Sequence, residues 1–166
     1  MGDTFKITDA MKAKVGKDST PWTYEVTTTG VRAFARGVGY TDPVYYDIKA
    51  AQKAGYRNLP APATFYGLPV FIPGQSDDTF SMPLGCDVSI SQQEHGMGNI
   101  MDGGTECEYF GDICAGDTLT CVSRLSELDL KTTKSGKVML LQTIESTFTN
   151  QDGKVVLIKR LKVINH

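Results

Sequence analysis

Several common functional signals are absent from this 166-residue sequence, and each absence removes a class of protein. No apolar run approaches the roughly 20 residues that a membrane-spanning helix requires. Lys and Arg number 17 against 19 Asp and Glu, so the net charge of −2 does not suggest the basic surface of a nucleic-acid-binding protein. No Walker loop and no dinucleotide motif occurs. The first residues carry charges and lack the apolar core of a secretory signal, so we expect a cytoplasmic protein.

Cysteine and histidine are too few and too scattered to suggest a zinc site. The sequence contains no Cys-x-x-Cys pair, and its two histidines do not fall at zinc-ligand spacing. We therefore expect neither a metal nor another cofactor. The cysteines are expected to be free thiols in a reducing compartment, and a disulfide between two of them stays open as an alternative. They are Cys86, Cys107, Cys114 and Cys121.

The overall composition is that of an ordinary globular protein. Hydrophobic residues make up 40% of the sequence and charged residues 22%. The length predicts one domain over residues 1–166, in which residues 1–20 form a polar lead-in. A chain of this size buries roughly two-thirds of its unfolded surface, which is enough for a substantial core.

The first half of the chain shows a strand, short helices and turns. Residues 23–29 are β-branched and aromatic, which predicts a strand. Apolar spacing predicts a short helix over residues 31–37, and Asp42-Pro43 marks a turn. Residues 47–54 predict a second helix, with Asp47 as its N-cap and a glycine as its stop.

Residues 63–72 are almost wholly apolar and predict a buried helix. Pro62 suits the first turn of such a helix, and Pro69 would kink or end it. The second half of the chain then alternates apolar and polar residues between tight turns, which predicts antiparallel strands. The strands are expected over residues 104–110, 117–127, 138–149 and 155–164. The sequence thus predicts an α+β domain in which an antiparallel sheet wraps around a long central helix.

Several segments, in this order, resemble the MaoC-like family and its N-terminal FAS1-like dehydratase branch. The likeness covers about residues 23–164 and consists of weak motifs that gain specificity from their shared order. They are Phe-Ala-x-x-x-Gly from Phe34, Pro43-x-Tyr45-x-Asp47, the alanine-rich helix that runs into Gly55-Tyr56, Ala61-Pro62-x-Thr64-Phe65, and Glu106-x-Glu108-Tyr109 followed by Gly116-Asp117.

The resemblance implies a single hotdog fold and chemistry on acyl thioesters. Family members catalyse reversible hydration of a trans-2-enoyl thioester of CoA or acyl carrier protein, as (R)-specific 3-hydroxyacyl-thioester dehydratases or enoyl-CoA hydratases of fatty or aromatic acid metabolism. In active members an Asp and a His in the motif Gly-Asp-x-Asn-Pro-x-His-x-Asp act on one water. The resemblance also implies a homodimer, or a heterodimer with a second hotdog chain.

Laid on that motif, this sequence keeps Gly39, Pro43 and Asp47 and changes the positions that perform the chemistry. Tyr40 falls where the catalytic Asp would be, and Tyr45 falls where the His would be. A tyrosine, with a pKa of about 10, is a poor base at neutral pH but can donate a hydrogen bond. Asp42, in the place of the Asn, is either a base or a turn residue ahead of Pro43.

Other candidate residues would contact the substrate rather than transform it. Backbone N–H groups of Ala63 and Thr64, at the start of the expected buried helix, could polarise the thioester carbonyl, with Phe65 beside them. Arg57 could contact CoA phosphates or an acidic carrier protein. His95 lies in a glycine-rich segment and is expected to be a loop histidine, with a position in a site as the alternative.

Three functional hypotheses follow. In the first, the chain is a hydratase or dehydratase subunit that shapes the acyl channel while a partner hotdog chain supplies the Asp/His pair. In the second, the chain is a self-sufficient hydratase that uses Asp42 with Tyr40 or Tyr45. In the third, it is a non-catalytic module that binds acyl thioesters.

Overall fold

The fold is given by a computed structural model that describes residues 5–70 and 88–166. Short helices occupy the first part of the chain and long strands the second. The helices are α1 (Asp9–Lys12), α2 (Thr28–Gly37), a 3-10 turn (Pro43–Tyr45), α3 (Ile48–Lys53) and α4 (Gln92–His95). The strands are β1 (Trp22–Glu25), β2 (Leu68–Val70), β3 (Ile100–Tyr109), β4 (Thr118–Thr132), β5 (Val138–Asn150) and β6 (Val155–Asn165).

Within the described ranges, six strands form one antiparallel sheet in the order β2-β1-β4-β5-β6-β3. The three longest strands are consecutive, because tight turns at Gly136 and Gly153 reverse the chain. Both glycines have positive φ, 82° and 75°, a backbone conformation that other residues adopt only with strain. The antiparallel strands predicted from alternation are confirmed, and β4 continues five residues beyond its predicted end at residue 127.

The core lies against one face of this sheet, here called the inner face. Alternate residues of the long strands point to it, and Leu119, Leu125, Leu140, Phe148 and Leu157 are completely buried there. Removing a side chain of this size from water stabilises a fold by about 1.5–3 kcal/mol. The larger core cluster surrounds Phe148, and a smaller one surrounds Leu125 and Leu140.

The helices α2 and α3 begin at side-chain caps. Thr27 accepts a hydrogen bond from the Gly30 N–H at 3.0 Å, so α2 starts three residues before the start predicted from its apolar spacing. Asp47 accepts from the Lys49 N–H at 3.0 Å, which confirms its predicted capping role. Inside residues 5–70 and 88–166, no helix is long and apolar enough to cross a membrane.

The helix predicted over residues 63–72 is wrong for the part that the structure describes, residues 63–70. Phe65 N–H donates to the Pro62 carbonyl in a turn, and the chain then enters β2, which pairs with β1. Gly67 has a φ of 95° and Thr64 a φ of 69°, both outside the helical region. Part of this apolar segment is buried without being helical: Phe65 packs in the core and is 7% exposed. Residues 71–72 and Cys86 lie outside the described residues.

Candidate functional site

Three side chains hold the turn between α2 and α3. Asp42 accepts a hydrogen bond from the Val44 N–H at 3.0 Å and so caps the 3-10 turn. Tyr46 donates its hydroxyl to the Tyr40 carbonyl oxygen at 2.5 Å. Arg32 donates from Nε and Nη2 to the Tyr46 carbonyl oxygen, at 3.1 and 2.8 Å. The turn is thereby fixed relative to α2.

The turn brings together the three residues at the changed motif positions. The rings of Tyr40 and Tyr45 are in contact, and Asp42 and Tyr45 line one surface depression with Tyr56 and Lys53. Burial raises the pKa of the Tyr45 phenol, and the neighbouring Tyr40, Tyr56 and Asp42 raise it further. Tyr45 is therefore a protonated hydrogen-bond donor at neutral pH, and it cannot serve as the base.

The groups available at this turn are a carboxylate and phenols, without a histidine. Asp42 is exposed, and one of its carboxylate oxygens is already engaged by the main chain. No histidine lines the depression beside it. Hydration of an enoyl thioester needs both a base for the water and an acid for the α carbon. For the acid, the turn offers the phenol of Tyr45, and for the base it offers the helix-capping carboxylate of Asp42.

Arg57 is held in an ion pair with a buried carboxylate. Asp117 is 4% exposed and accepts hydrogen bonds from the Arg57 guanidinium, from the Cys114 N–H at 2.8 Å and from Gln151 Nε2 at 3.2 Å. Arg57 also donates to the Asp112 carbonyl oxygen at 3.3 Å. Half of the Arg57 side chain remains exposed, so the predicted contact with CoA phosphates stays a prediction for that half.

The predicted carbonyl-binding residues lie in the turn ahead of β2. Ala63 and Thr64 are exposed, whereas Phe65 is buried against Phe34 with ring centroids 5.1 Å apart. The Thr64 N–H donates to the Tyr109 hydroxyl at 2.9 Å. The Thr64 N–H could therefore donate to a substrate carbonyl only if that carbonyl displaced the Tyr109 hydroxyl. The helix whose start was expected to strengthen this donor is absent from the described residues 63–70.

Sequence reasoning missed a polar row across the inner face of the sheet. Lys159 is 7% exposed and donates to the Tyr66 hydroxyl at 3.1 Å, with its Nζ atom 5.2 Å from the Tyr66 ring centre. Ser146 lies opposite Lys159 on β5 and shares a 2.8 Å hydrogen bond with Ser123 on β4. The alternation of β6 could have revealed this row, because it places Lys159 on the same face as the buried Leu157.

A separate cavity of about 400 Å³ opens on the inner face, near the start of β5 and the end of β6. His95 reaches it from the end of α4 and is 7% exposed, so the loop position predicted for this residue is wrong. The His95 Nδ1 atom accepts from the Met97 N–H at 3.0 Å, and burial lowers the pKa of the ring, so the neutral ring carries its proton on Nε2. The apolar lining includes Ile90, Met97, Ile100, Ile144, Leu161 and Val163.

The described cysteines, Cys107, Cys114 and Cys121, are free thiols. Burial raises the pKa of the Cys114 thiol, which makes it a weak nucleophile. Residues 5–70 and 88–166 contain no group of three or more His, Cys, Asp or Glu side chains that could hold a metal ion.

Comparisons with known proteins agree with this architecture. The family described as "FAS1-like, dehydratase domain region" matches residues 13–159. A protein of Thermobifida fusca (strain YX) named "UPF0336 protein" is 30% identical over 139 residues, which are 82% of this chain and 80% of that protein.

Solved structures share the fold. A "MaoC-like dehydratase" superposes with a TM-score of 0.71 at 25% identity, over 93% of this chain and 43% of that chain. The HadBC (3R-hydroxyacyl-ACP dehydratase) complex of Mycobacterium tuberculosis superposes with a TM-score of 0.64 at 21% identity, over 87% of this chain and 94% of that chain.

The sheet, the helical turn and these likenesses define the class as the single hotdog fold of the MaoC-like dehydratases. Within that class, this chain belongs to the family of the FAS1-like dehydratase domain region. The hotdog fold and the family expected from the resemblance are thus confirmed.

Proposed function

We propose that this chain is a subunit of an (R)-specific 3-hydroxyacyl-thioester dehydratase or enoyl-CoA hydratase that acts in the cytoplasm. It shapes the acyl channel, and a partner hotdog chain supplies the catalytic Asp/His pair. The observation that carries this proposal is the turn at residues 40–45. Asp42 caps that turn, and Tyr40 and Tyr45 are in contact there. The sequence resemblance aligns these two tyrosines with the family's proton-transfer residues.

The cavity beside β5 and β6 supports a role in acyl binding. Its volume falls in the range of small-molecule sites, about 300–1,000 Å³, and its walls are mainly apolar. Such walls suit an acyl chain, which gains about 0.8 kcal/mol for each methylene removed from water. The polar side chains that line this cavity include His95 and Asn165, which could orient a carbonyl or hydroxyl group.

Heteromeric assembly supports the partner. The HadBC complex of M. tuberculosis pairs hotdog chains in one dehydratase, and this chain shares its fold. A chain that lacks a His at its motif turn fits such an arrangement, because one member of the pair can carry the proton-transfer residues for both.

A binding experiment tests the channel. Saturated acyl-CoA thioesters of increasing chain length are titrated onto the wild-type chain, a Leu161→Trp variant and a Val155→Trp control. Leu161 lines the cavity, and Val155, on the same strand, is 41% exposed and outside it. We expect Leu161→Trp to weaken binding of the longest chains at least about tenfold and Val155→Trp to leave it unchanged. The same dependence on chain length in all three proteins would rule out this cavity as the channel.

The runner-up is a self-sufficient hydratase. The observation in its favour is that Asp42 and Tyr45 line a single depression with Lys53 and Tyr56, so a carboxylate and a phenol donor lie side by side. Hydration of trans-2-enoyl-CoA by the purified chain, abolished in Asp42→Asn, would establish this function instead.

A further inference from the structure

Lys159 is a buried cation with an incomplete set of partners. It is 7% exposed, and its ammonium group donates to the Tyr66 hydroxyl at 3.1 Å. A lysine ammonium carries three N–H donors, and this contact uses one of them. Among residues 5–70 and 88–166, no carboxylate forms an ion pair with Lys159. A buried charge without a counter-charge is unfavourable, so a bound anion would stabilise this side chain.

The neighbours of Lys159 on the inner face do not supply that counter-charge. Along β6, the residues two positions away on the same face are Leu157 and Leu161. Across the sheet, Cys107 on β3 and Ser146 on β5 lie directly opposite Lys159, and directly opposite residues share a face. None of these four residues carries a carboxylate, so the strands around Lys159 leave its charge uncompensated.

The Tyr66 hydroxyl provides a second donor at the same point. A phenol that accepts a hydrogen bond from Lys159 keeps its own proton for another acceptor. Within the described residues, no side chain or carbonyl accepts that proton. The ring is held in place by Tyr24 and Phe148, whose ring centroids lie 5.7 and 4.7 Å from that of Tyr66. Lys159 and Tyr66 therefore present two adjacent donors, which suit the two oxygens of one carboxylate.

These two donors lie beside the apolar cavity of the inner face. Ile144 and Leu161 are paired across β5 and β6, and both line that cavity. Ser146 and Lys159 form the pair two residues further along the same face, and two residues of a strand span about 7 Å. An acyl chain that lies in the cavity and extends past Leu161 therefore brings its end group to Lys159.

We propose that Lys159 and Tyr66 bind a carboxylate at the far end of the acyl group, and that the substrate class is an ω-carboxyacyl thioester. This inference rests on the proposed function, in which the cavity holds the acyl chain, and it adds the feature that selects one acyl group over another. An acyl chain with an uncharged end leaves Lys159 without a counter-charge, whereas a chain that ends in a carboxylate supplies it. The free energy of that ion pair favours the carboxylated chain.

Free carboxylates test the anion site without a thioester. Octanoate and 1-octanol, which share a chain and differ in charge, are titrated calorimetrically onto the wild-type chain and onto Lys159→Met. We expect the wild-type chain to bind octanoate at least about tenfold more tightly than 1-octanol, and Lys159→Met to bind the two equally. The control is Lys162→Met, at an exposed position of the same strand, and it should keep the wild-type preference.

Paired thioesters then test the substrate class. Succinyl-, adipoyl- and suberoyl-CoA are compared with butanoyl-, hexanoyl- and octanoyl-CoA, which match them in carbon number. At one chain length we expect the wild-type chain to prefer the carboxylated member at least about tenfold. Lys159→Met should lose this preference and keep its affinity for the uncharged member. Tyr66→Phe keeps the charge and loses one donor, so it should lower the preference about threefold and gives a second readout should Lys159→Met fail to fold.

The inference is overturned by a wild-type chain that shows no preference for carboxylated ligands. A preference that is the same in Lys159→Met as in the wild-type chain would overturn it as well. When uncharged acyl-CoA thioesters still bind in the cavity, either result leaves the proposed function standing. Binding of octanoate through Lys159, with no binding of any thioester, would do the reverse, because the anion site would then exist without the proposed acyl channel.

Discussion

The rings of Tyr40 and Tyr45 lie with their centroids 5.4 Å apart, at an interplanar angle of 31°. The sequence resemblance aligns these two residues with the family's proton-transfer pair, and in this structure their rings form an aromatic contact. Tyrosine contacts of this kind typically contribute about 0.5–1.5 kcal/mol to a fold. The turn therefore presents two phenols and the helix-capping carboxylate of Asp42.

The first prediction concerns Asp42. Asn caps helices about as well as Asp but cannot act as a base, so Asp42→Asn separates the two roles. We expect the free energy of unfolding of this variant to lie within about 0.5 kcal/mol of the wild-type value. We expect turnover of the assembled enzyme to stay within about threefold of the wild-type rate. Asp47→Asn, at the Asp-capped start of α3, is the matched control. A loss of turnover confined to Asp42→Asn would make Asp42 the base.

The second prediction concerns the buried carboxylate of Asp117. Asp117→Ala leaves the Cys114 N–H without its acceptor and removes the ion pair of Arg57. We expect the free energy of unfolding to fall by about 2–4 kcal/mol, measured by urea denaturation. The nearby exposed Asp112→Ala is the control and should cost less than about 0.5 kcal/mol. Equal losses in the two variants would show that the network around Asp117 contributes nothing specific.

The third prediction concerns the buried lysine. In the described residues, Lys159 has the Tyr66 hydroxyl as its hydrogen-bond partner and no carboxylate in ion-pair contact. Removal of the hydroxyl by Tyr66→Phe should cost about 1.5–3 kcal/mol, because the charged donor loses its acceptor. Lys159→Met should be neutral or stabilising, and Tyr66→Phe should cost little in that background. A double-mutant cycle measures this coupling, and additive effects of the two changes would refute it.

The fourth prediction concerns stability in acid. Hydrogen bonds from the Lys14 side chain and the Ser91 main chain lower the pKa of Glu94 from 4.5 to about 2. A carboxyl with a lower pKa in the folded chain stabilises the fold above its unfolded pKa of 4.5, and this contribution is lost as the pH falls toward 2. The Glu94 side chain is 30% exposed, so we expect only about 1 kcal/mol at neutral pH.

Glu94→Gln should therefore lower the free energy of unfolding at pH 7 and have progressively less effect below pH 4.5. Glu25→Gln, at an exposed position on β1, is the control and should change the free energy of unfolding at pH 7 by less than about 0.5 kcal/mol. A destabilisation by Glu94→Gln that stays constant across this range would show that the carboxylate charge is not what matters.

The sequence predicted the elements whose signals are local. Thr23 to Glu25 in β1, the Asp47 cap of α3 and the three long strands β4 to β6 follow from β-branched residues, a side-chain cap and alternation, and each of these acts within a few residues. The start of β3 at Ile100 was not predicted. The strand lies at an edge, and a bulge between Asp102 and Gly104 interrupts its alternation.

The helix expected over residues 63–72 illustrates a limit of composition. An apolar run indicates burial without indicating which element is buried. Gly67 and Pro69 were the local signals against a helix, and both act here: Gly67 adopts positive φ, and Pro69 lies in the short strand β2. The contact between Lys159 and Tyr66 spans 93 positions, and such a pairing depends on the tertiary fold rather than on local pattern.

The central claim is that proton transfer comes from a partner chain, and hydration of trans-2-enoyl-CoA tests it most directly. The rate is measured for this chain alone, for a hotdog chain with an intact Asp/His pair that co-purifies with it, and for their mixture. We predict that the mixture exceeds either chain by about 10²–10⁴-fold. We also predict that it tolerates Asp42→Asn in this chain but not His→Ala in the partner's motif. Full activity of this chain alone, abolished by Asp42→Asn, would contradict the account.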